Sequence, residues 1–345
     1  MGFSEVNEME ELGVKQGFGG VVGHEEIIAH LQNAIRRDKV SHAYIFSGEQ
    51  GSGKKLLASL FAMTLQCQDR GQDAEPCMQC ISCKKALTDN QPDIIHVTHE
   101  KPNSIGIDEI RSQVINDVAI KPYESPYKIY IINEADKLTL QAQNALLKTI
   151  EEPPAYAVLL LLADNPEALL PTITSRCVQL NLKPVGDELV KEYLMEQMHI
   201  PDYQAEVQAS FAQGNVGKAR QIAGSAEFEE LTANALRLVK HSRDLEVYEL
   251  VDAIKAMSSD KQNIQDYLEL FLIWFRDVLL FKATREVDHL VFKEEINSIK
   301  ERAALSSYEG LERILEAIHT ADSRLRANVN FDLAMELLFL TIREN

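Results

Sequence analysis

Residues 42–55 read HAYIFSGEQGSGKK. A short β-prone run over 42–48 ends at a glycine, and the following GEQGSGKK at 48–55 has the G-x-x-x-x-G-K spacing of a phosphate-binding loop. The chemistry asks for glycines so that successive backbone N–H groups can face phosphate oxygens. A helix N-terminus adds partial positive charge and a lysine adds a full one. Gly48, Gly51, Gly53 and Lys54 fill those places. The next position should carry a Ser or Thr hydroxyl for magnesium. Here it is Lys55, which cannot ligate a metal while protonated.

The segments on either side continue a strand–helix alternation. Helical periodicity runs over 25–37, with Ile27, Ile28, Leu31, Ala34 and Ile35 on one side. Residues 53–66 read as the helix after the loop. Further strands are expected at 93–100 (DIIHVTHE), 128–136 (KIYIINEAD), 155–165 (AYAVLLLLADN) and 177–182 (CVQLNL). The fourth is apolar over 155–163, as a strand buried on both faces should be. A helix is expected over 107–118, with Asp108 as a plausible cap, and another over 139–152, which Pro153 and Pro154 must end. This alternation implies a parallel sheet covered on both sides. After Pro184 only helical patterns follow: short ones over 186–240, longer amphipathic ones over 244–345. The fold class is α/β followed by all-α.

The third strand ends in Asn133-Glu134. A hydrolysing site would end it in Asp-Glu, with Asp serving magnesium and Glu polarising the attacking water. Two magnesium-handling positions are therefore altered, at Lys55 and Asn133. Together they argue against ATP with magnesium as a working cofactor of this chain.

Cys67, Cys77, Cys80 and Cys83 form C-x9-C-x2-C-x2-C. The short spacings let neighbouring thiolates share one tetrahedral ion, and a closed four-thiolate set leaves no place for water. The expectation is a structural zinc (Zn2+) pinning an excursion that has no core of its own. Cys177 stands alone and reads as a small core residue. LLPTITSRC at 169–177 places Ser175 and Arg176 just before a strand. An arginine at the rim of such a domain can reach a partner's γ-phosphate or simply pair with a local carboxylate. His24, His42 and His96 show no metal-like spacing and read as structural.

Composition narrows the partners. The 345 residues carry 35 Lys+Arg against 53 Asp+Glu, a formal net charge of −18. A protein that coats DNA needs a basic field, so any nucleic-acid contact here is local or made through a partner. No apolar run approaches the roughly 20 residues of a membrane span, and the acidic N-terminus does not resemble a secretion signal. The expected location is cytoplasmic, with no membrane partner.

The ordered set HAYIFSG-EQGSGKK, the cysteine cluster, QPDIIHV, IGIDEIR, KIYIINEAD, AQNALLKTIEEPP, LLPTITSRC and ANVNFDLAMELLFLTI resembles the clamp-loader subunits of bacterial DNA polymerase III. These are AAA+ proteins with a P-loop parallel-sheet domain, a small helical lid and a C-terminal helical collar. Residues 1–17, polar and Gly-containing, precede the resemblance and are expected to be disordered; the resemblance implies an AAA+ domain over 18–183 with a zinc module at 67–83. It implies a lid over 184–241 and an oligomerising collar over 242–345. Two branches compete. The tau/gamma ATPase branch keeps Gly-Lys-Thr/Ser and Asp-Glu, whereas the delta-prime branch keeps the fold and the SRC arginine over a degraded nucleotide site. Lys55 and Asn133 point to delta-prime, as does Gly217 where the ATPase branch carries a nucleotide-sensing arginine.

The resemblance further implies that Ser175-Arg176 act in trans on ATP held by a neighbouring ATPase subunit. Gly48, Gly51, Gly53 and Lys54 would then be a vestigial nucleotide loop. The implied partners are the tau/gamma and delta subunits, with the sliding clamp and primed DNA met through the complex. The alternatives are an active tau/gamma-type ATPase subunit of the same machine and an unrelated P-loop phosphotransferase with a zinc insert.

Overall fold

A computed structural model describes residues 14–345 apart from 244–247, 250, 251, 253, 256, 258–262 and 328. Most of the N-terminal stretch expected to be disordered, 1–17, lies outside the described residues. Positions 14–17 belong to a 3-10 turn over Val14–Gly20.

Five parallel strands form one sheet: β1 (Ala43–Ser47), β2 (Ile94–Val97), β3 (Lys128–Ile132), β4 (Ala157–Ala163) and β5 (Val178–Asn181). Their spatial order is β2-β3-β4-β1-β5. Every residue of β1, β3 and β4 is buried, which is why these runs lack a polar alternation. Successive side chains leave on opposite faces, so the sheet separates two cores. Tyr44, Phe46, Ile129, Ile131, Leu160 and Leu162 pack on one side with helix Lys54–Gln66. Ile45, Tyr130, Ile132, Leu159 and Leu161 pack on the other with helix Leu140–Glu151. This is the α/β-then-helical arrangement expected for an AAA+ clamp-loader chain.

Two local readings change. The helix expected over 107–118 is present over 107–115, as an α-helical turn at Ile107–Ile110 that widens into a π-helix over Arg111–Ile115. There Asn116 N–H donates to Arg111 O at 2.9 Å, a span of five residues. Ser112 Oγ donates to the Asp108 and Glu109 carbonyls, a back-bonding habit that bends helices. Asp108 is not the cap: Gly106 holds that place, and no side chain caps the turn. The cap of Leu140–Glu151 is Thr139, whose side chain accepts from Ala142 N.

The first compact unit runs to Gly186 and also takes in Asn215–Gly217; the second comprises Asp187–Gly214 and Lys218–Asn345. The described residues of the second unit form helices and no strand. Its core centres on helix Ile264–Thr284, where Phe271, Trp274 and Phe275 are at most 1 % exposed. Phe271 meets Phe339 of helix Phe331–Glu344 with ring centroids 5.7 Å apart. Asp277 of the same helix is fully buried, and its Oδ2 accepts from Val291 N at 2.9 Å and Phe292 N at 2.8 Å. Burial pushes its carboxyl up to about 6, against those two hydrogen bonds and the nearby Arg276 charge. No described helix is long and apolar enough to cross a membrane.

Candidate functional site

The phosphate-type loop leaves the carboxyl end of β1, beside the end of β4, where ligands of open α/β sheets bind. Parallel register pairs Ser47 with Ala163, and Gly48 N donates to Ala163 O at 3.3 Å. The residue after β4, Asp164, is thereby brought to the loop. Lys54 is buried at the start of its helix, and its Nζ stands 2.7 Å from Asp164 Oδ1. The same ammonium donates to the Gly48 and Glu49 carbonyls, each at 2.7 Å. The cation a phosphate would need is thus held by one carboxylate and two carbonyls of its own chain.

The loop's outer carbonyls are also engaged. Asn215 Nδ2 donates to Gln50 O at 2.7 Å, and Gly217 N donates to Gly51 O at 3.0 Å. Gly51 has φ +86°, which favours glycine, and a Cβ on it would lie 2.5 Å from Asn215 Oδ1. A Cβ on Gly217 would lie 2.6 Å from Gly51 O. Gly217 therefore allows the 215–217 backbone to lie against the loop. His24 Nε2 meets Ser52 O at 3.2 Å from the other side. Burial lowers the His24 imidazole below its ordinary value, although the Ser52 carbonyl and Glu25 oppose this.

The remaining site residues sit as follows. Gly53, at φ +96°, precedes the loop helix, and Lys55 lies on its first turn, half-buried. Asn133 directly follows β3, half-buried. Glu134 is exposed, and its carboxylate is taken by Lys137 and by His99 Nε2 at 3.2 Å. Arg176 follows the turn Pro171–Thr174. Its Nη2 pairs with Glu151 Oε1 at 3.0 Å, its Nη1 donates to Thr172 O at 3.0 Å and to Ser175 Oγ at 3.4 Å, and the side chain is 41 % exposed. The guanidinium is oriented at the rim yet reachable. Cys177 lies just before β5, half-buried against the sheet core, and burial pushes its thiol up to about 12.

The four clustered cysteines come together: their Sγ atoms all lie within 4.8 Å of one another. Thiolates around a tetrahedral zinc stand about 3.8 Å apart, given Zn–S bonds of ~2.3 Å, and Cys77 Sγ and Cys83 Sγ are 4.0 Å apart. Backbone N–H groups converge on the sulfurs, Cys77 N on Cys67 Sγ, Cys80 N on Cys77 Sγ and Cys83 N on Cys80 Sγ, at 3.3–3.4 Å. These donors favour negative sulfur. Burial alone would raise the Cys80 thiol, but backbone hydrogen bonds from Cys83 and Gln68 bring it down to about 6. Burial and the neighbouring thiols push Cys83 up. The donor set fits a metal ion.

Asp164, His24 and Asn215 escape a sequence reading. Asp164 directly follows the most apolar strand, a usable signal, but only the β1–β4 pairing shows that this end meets the loop. Asn215 is remote in sequence and carries no motif of its own.

The family model for the DNA polymerase III delta subunit matches residues 23–186, and the model for its C-terminal part matches 233–344. The delta-prime subunit of Bacillus subtilis is 33% identical over 91% of this chain and 94% of its own length. The chain belongs to the delta-prime family of DNA polymerase III subunits. The tau subunit of the same organism is 31% identical over 82% of the chain, but the match spans only 53% of tau. A gamma-subunit-related protein of known structure from Thermotoga maritima covers 92% of the chain at 20% identity, with a TM-score of 0.44. Near-complete two-way coverage is thus a feature of the delta-prime match and not of the tau match.

Proposed function

We propose that this delta-prime family chain is a non-motor subunit of the DNA polymerase III clamp loader, helping to place the sliding clamp on primed DNA. The observation that carries this is the 33% identity to a delta-prime subunit across nearly the whole of both chains. The loop chemistry supports the non-motor part. Lys55 and Asn133 occupy the two magnesium-handling positions. Lys54, the remaining cation of the motif, is paired with Asp164. Phosphate approaching this loop has to compete with that carboxylate and with the Gly48 and Glu49 carbonyls for the Lys54 ammonium.

In this reading Arg176 acts in trans. Its guanidinium exchanges Glu151 for the γ-phosphate held by a neighbouring tau/gamma subunit and stabilises the charge that develops there. Ser175 and Thr172 hold the guanidinium in place for that exchange. Cys67, Cys77, Cys80 and Cys83 hold a structural zinc ion, whose role is to cross-link the 67–83 excursion. The helical part serves as a lid over 184–241 and an oligomerising collar over 242–345, where delta and tau/gamma partners assemble. The acidic charge of −18 suits a cytoplasmic protein that meets DNA through the complex and not by coating it.

The test is turnover by the isolated chain in ATP and magnesium. The reading expects no hydrolysis above background, and restored clamp loading when the chain is added to tau/gamma and delta subunits. Magnesium-dependent hydrolysis by the chain alone would favour the tau/gamma-type alternative.

A further inference from the structure

We propose that a cleft in the second unit, formed by helices Asp202–Ala212 and Ala226–His241 with the turn at 291–295, binds a cationic peptide segment anchored by one large apolar side chain. This goes beyond the clamp-loader reading and does not rest on it.

The cleft has a volume of about 550 Å³, inside the roughly 300–1,000 Å³ range of ligand sites. Its floor is apolar: Val207, Phe228, Leu236 and Phe292 line it. The floor is stiffened from behind. The Phe228 ring meets Phe211 at 4.7 Å with the planes tilted by 57°, and Phe292 meets Trp274 at 6.0 Å. A rigid apolar floor does not collapse to fill the space above it, and it offers contact area for one large side chain.

Two polar groups set what else must be present. Gln208 lines the cleft at 2 % exposure, and its Oε1 has no hydrogen-bond partner among the described residues. Thr232, on the facing helix, lines it too, with a buried and equally unpartnered Oγ1. Leaving such a buried group unpaired is destabilising. Once these side chains turn toward the cleft, a peptide unit next to an apolar side chain meets both needs: its N–H donates to Gln208 Oε1, and its C=O accepts from the Thr232 hydroxyl.

The rim fixes the charge. Five carboxylates and two lysines line the cleft. Glu206 is held by Lys191 at 2.6 Å and Lys293 at 3.5 Å, and Glu295 by Lys240 at 2.8 Å. Among the described residues Glu229 accepts from a neutral Gln204 amide at 3.0 Å, and Glu294 is an exposed residue of the lining. The surplus is negative, so the complementary segment carries Lys or Arg flanking its apolar anchor.

The test uses the full chain and a capped, fluorescein-labelled Lys-Leu-Trp-Lys-Arg peptide, read by anisotropy. Glu-Leu-Trp-Glu-Glu and Lys-Ser-Ser-Lys-Arg serve as controls, with tryptamine as a competing small cation. Saturable binding of the first peptide alone is expected. Ala233→Trp places an indole in the cleft from an exposed lining position and should weaken binding by at least about tenfold, or ~1.4 kcal/mol. Reversing Glu229 and Glu294 to Lys should do the same. Thr232→Val, nearly isosteric, gives a second reading should Ala233→Trp lower the melting temperature. No saturation below about 1 mM, equal binding of the acidic peptide, or binding indifferent to all these changes would overturn the proposal. Tryptamine displacing the peptide at equal concentration would also overturn it, in favour of a small-ligand site.

Discussion

Lys54 Nζ lies 2.7 Å from Asp164 Oδ1, so the cation of the phosphate-type loop is already matched by a carboxylate delivered from the end of β4. Asp164→Asn removes that charge and leaves the side chain nearly the same size. Because Asp164 is 54 % exposed, solvent screens the pair, and the expected gain in ATP affinity is modest, up to about tenfold. Equilibrium titration of both proteins with ATP measures it. Identical affinities would mean that the ion pair does not limit the loop.

Gly217 sets the second restraint. Gly217→Ala puts a Cβ 2.6 Å from the Gly51 carbonyl oxygen, a clash with backbone and not with a flexible side chain. Overpacking of this kind costs about 1–3 kcal/mol. Faster amide exchange over 48–53 with unchanged exchange in β3 is the expected signature. Unaltered exchange would show that the 215–217 backbone does not brace the loop.

Much of this was legible in the sequence, and the misses have physical causes. The five strands, the loop and the cysteine set follow from local pattern: β4 lies inside the apolar run at 155–163 and is buried at all seven positions. Helix Lys54–Gln66 ends where periodicity said it would. The π widening of the helix expected over 107–118 was not legible, because a Ser112 hydroxyl bonded to two backbone carbonyls leaves no mark on apolar spacing. The Lys54–Asp164 pair was invisible because strand order is set by packing between distant segments. The cleft at 202–240 was invisible for the same reason, since its polar groups sit on two helices whose facing is not local.

The cysteine set should hold one metal ion per chain. Elemental analysis of the purified protein checks this, and zinc is the metal expected. Cys80→Ser should bring bound metal well below one equivalent and lower the melting temperature, by about 2–4 °C for each kcal/mol lost. Full metal content in that variant would remove Cys80 from the ligand set.

Asp277 predicts a pH dependence whose sign follows from its raised carboxyl. The folded value is about 6, against 3.8 for the free side chain. The folded protein therefore binds this proton more tightly than the unfolded chain does. The stability it contributes is fully present below about pH 4 and is lost as pH rises through 6. The full swing is on the order of 2–3 kcal/mol. Asp277→Asn keeps an oxygen for Val291 N and Phe292 N and cannot ionise. Denaturant unfolding at pH 4 and pH 7 should show the wild type losing more stability across that interval than the variant. Equal losses would place the titration elsewhere.

The central claim is that this chain activates a neighbour's chemistry and performs none of its own, and Arg176 is the residue on which it turns. The direct measurement is DNA-stimulated ATPase activity of the reconstituted clamp loader containing Arg176→Ala in this subunit. The account predicts intact assembly by sizing chromatography and a turnover loss on the scale of removing an arginine finger, about 10³-fold or more at the site it serves. Unchanged turnover at that site in a fully assembled complex would contradict it.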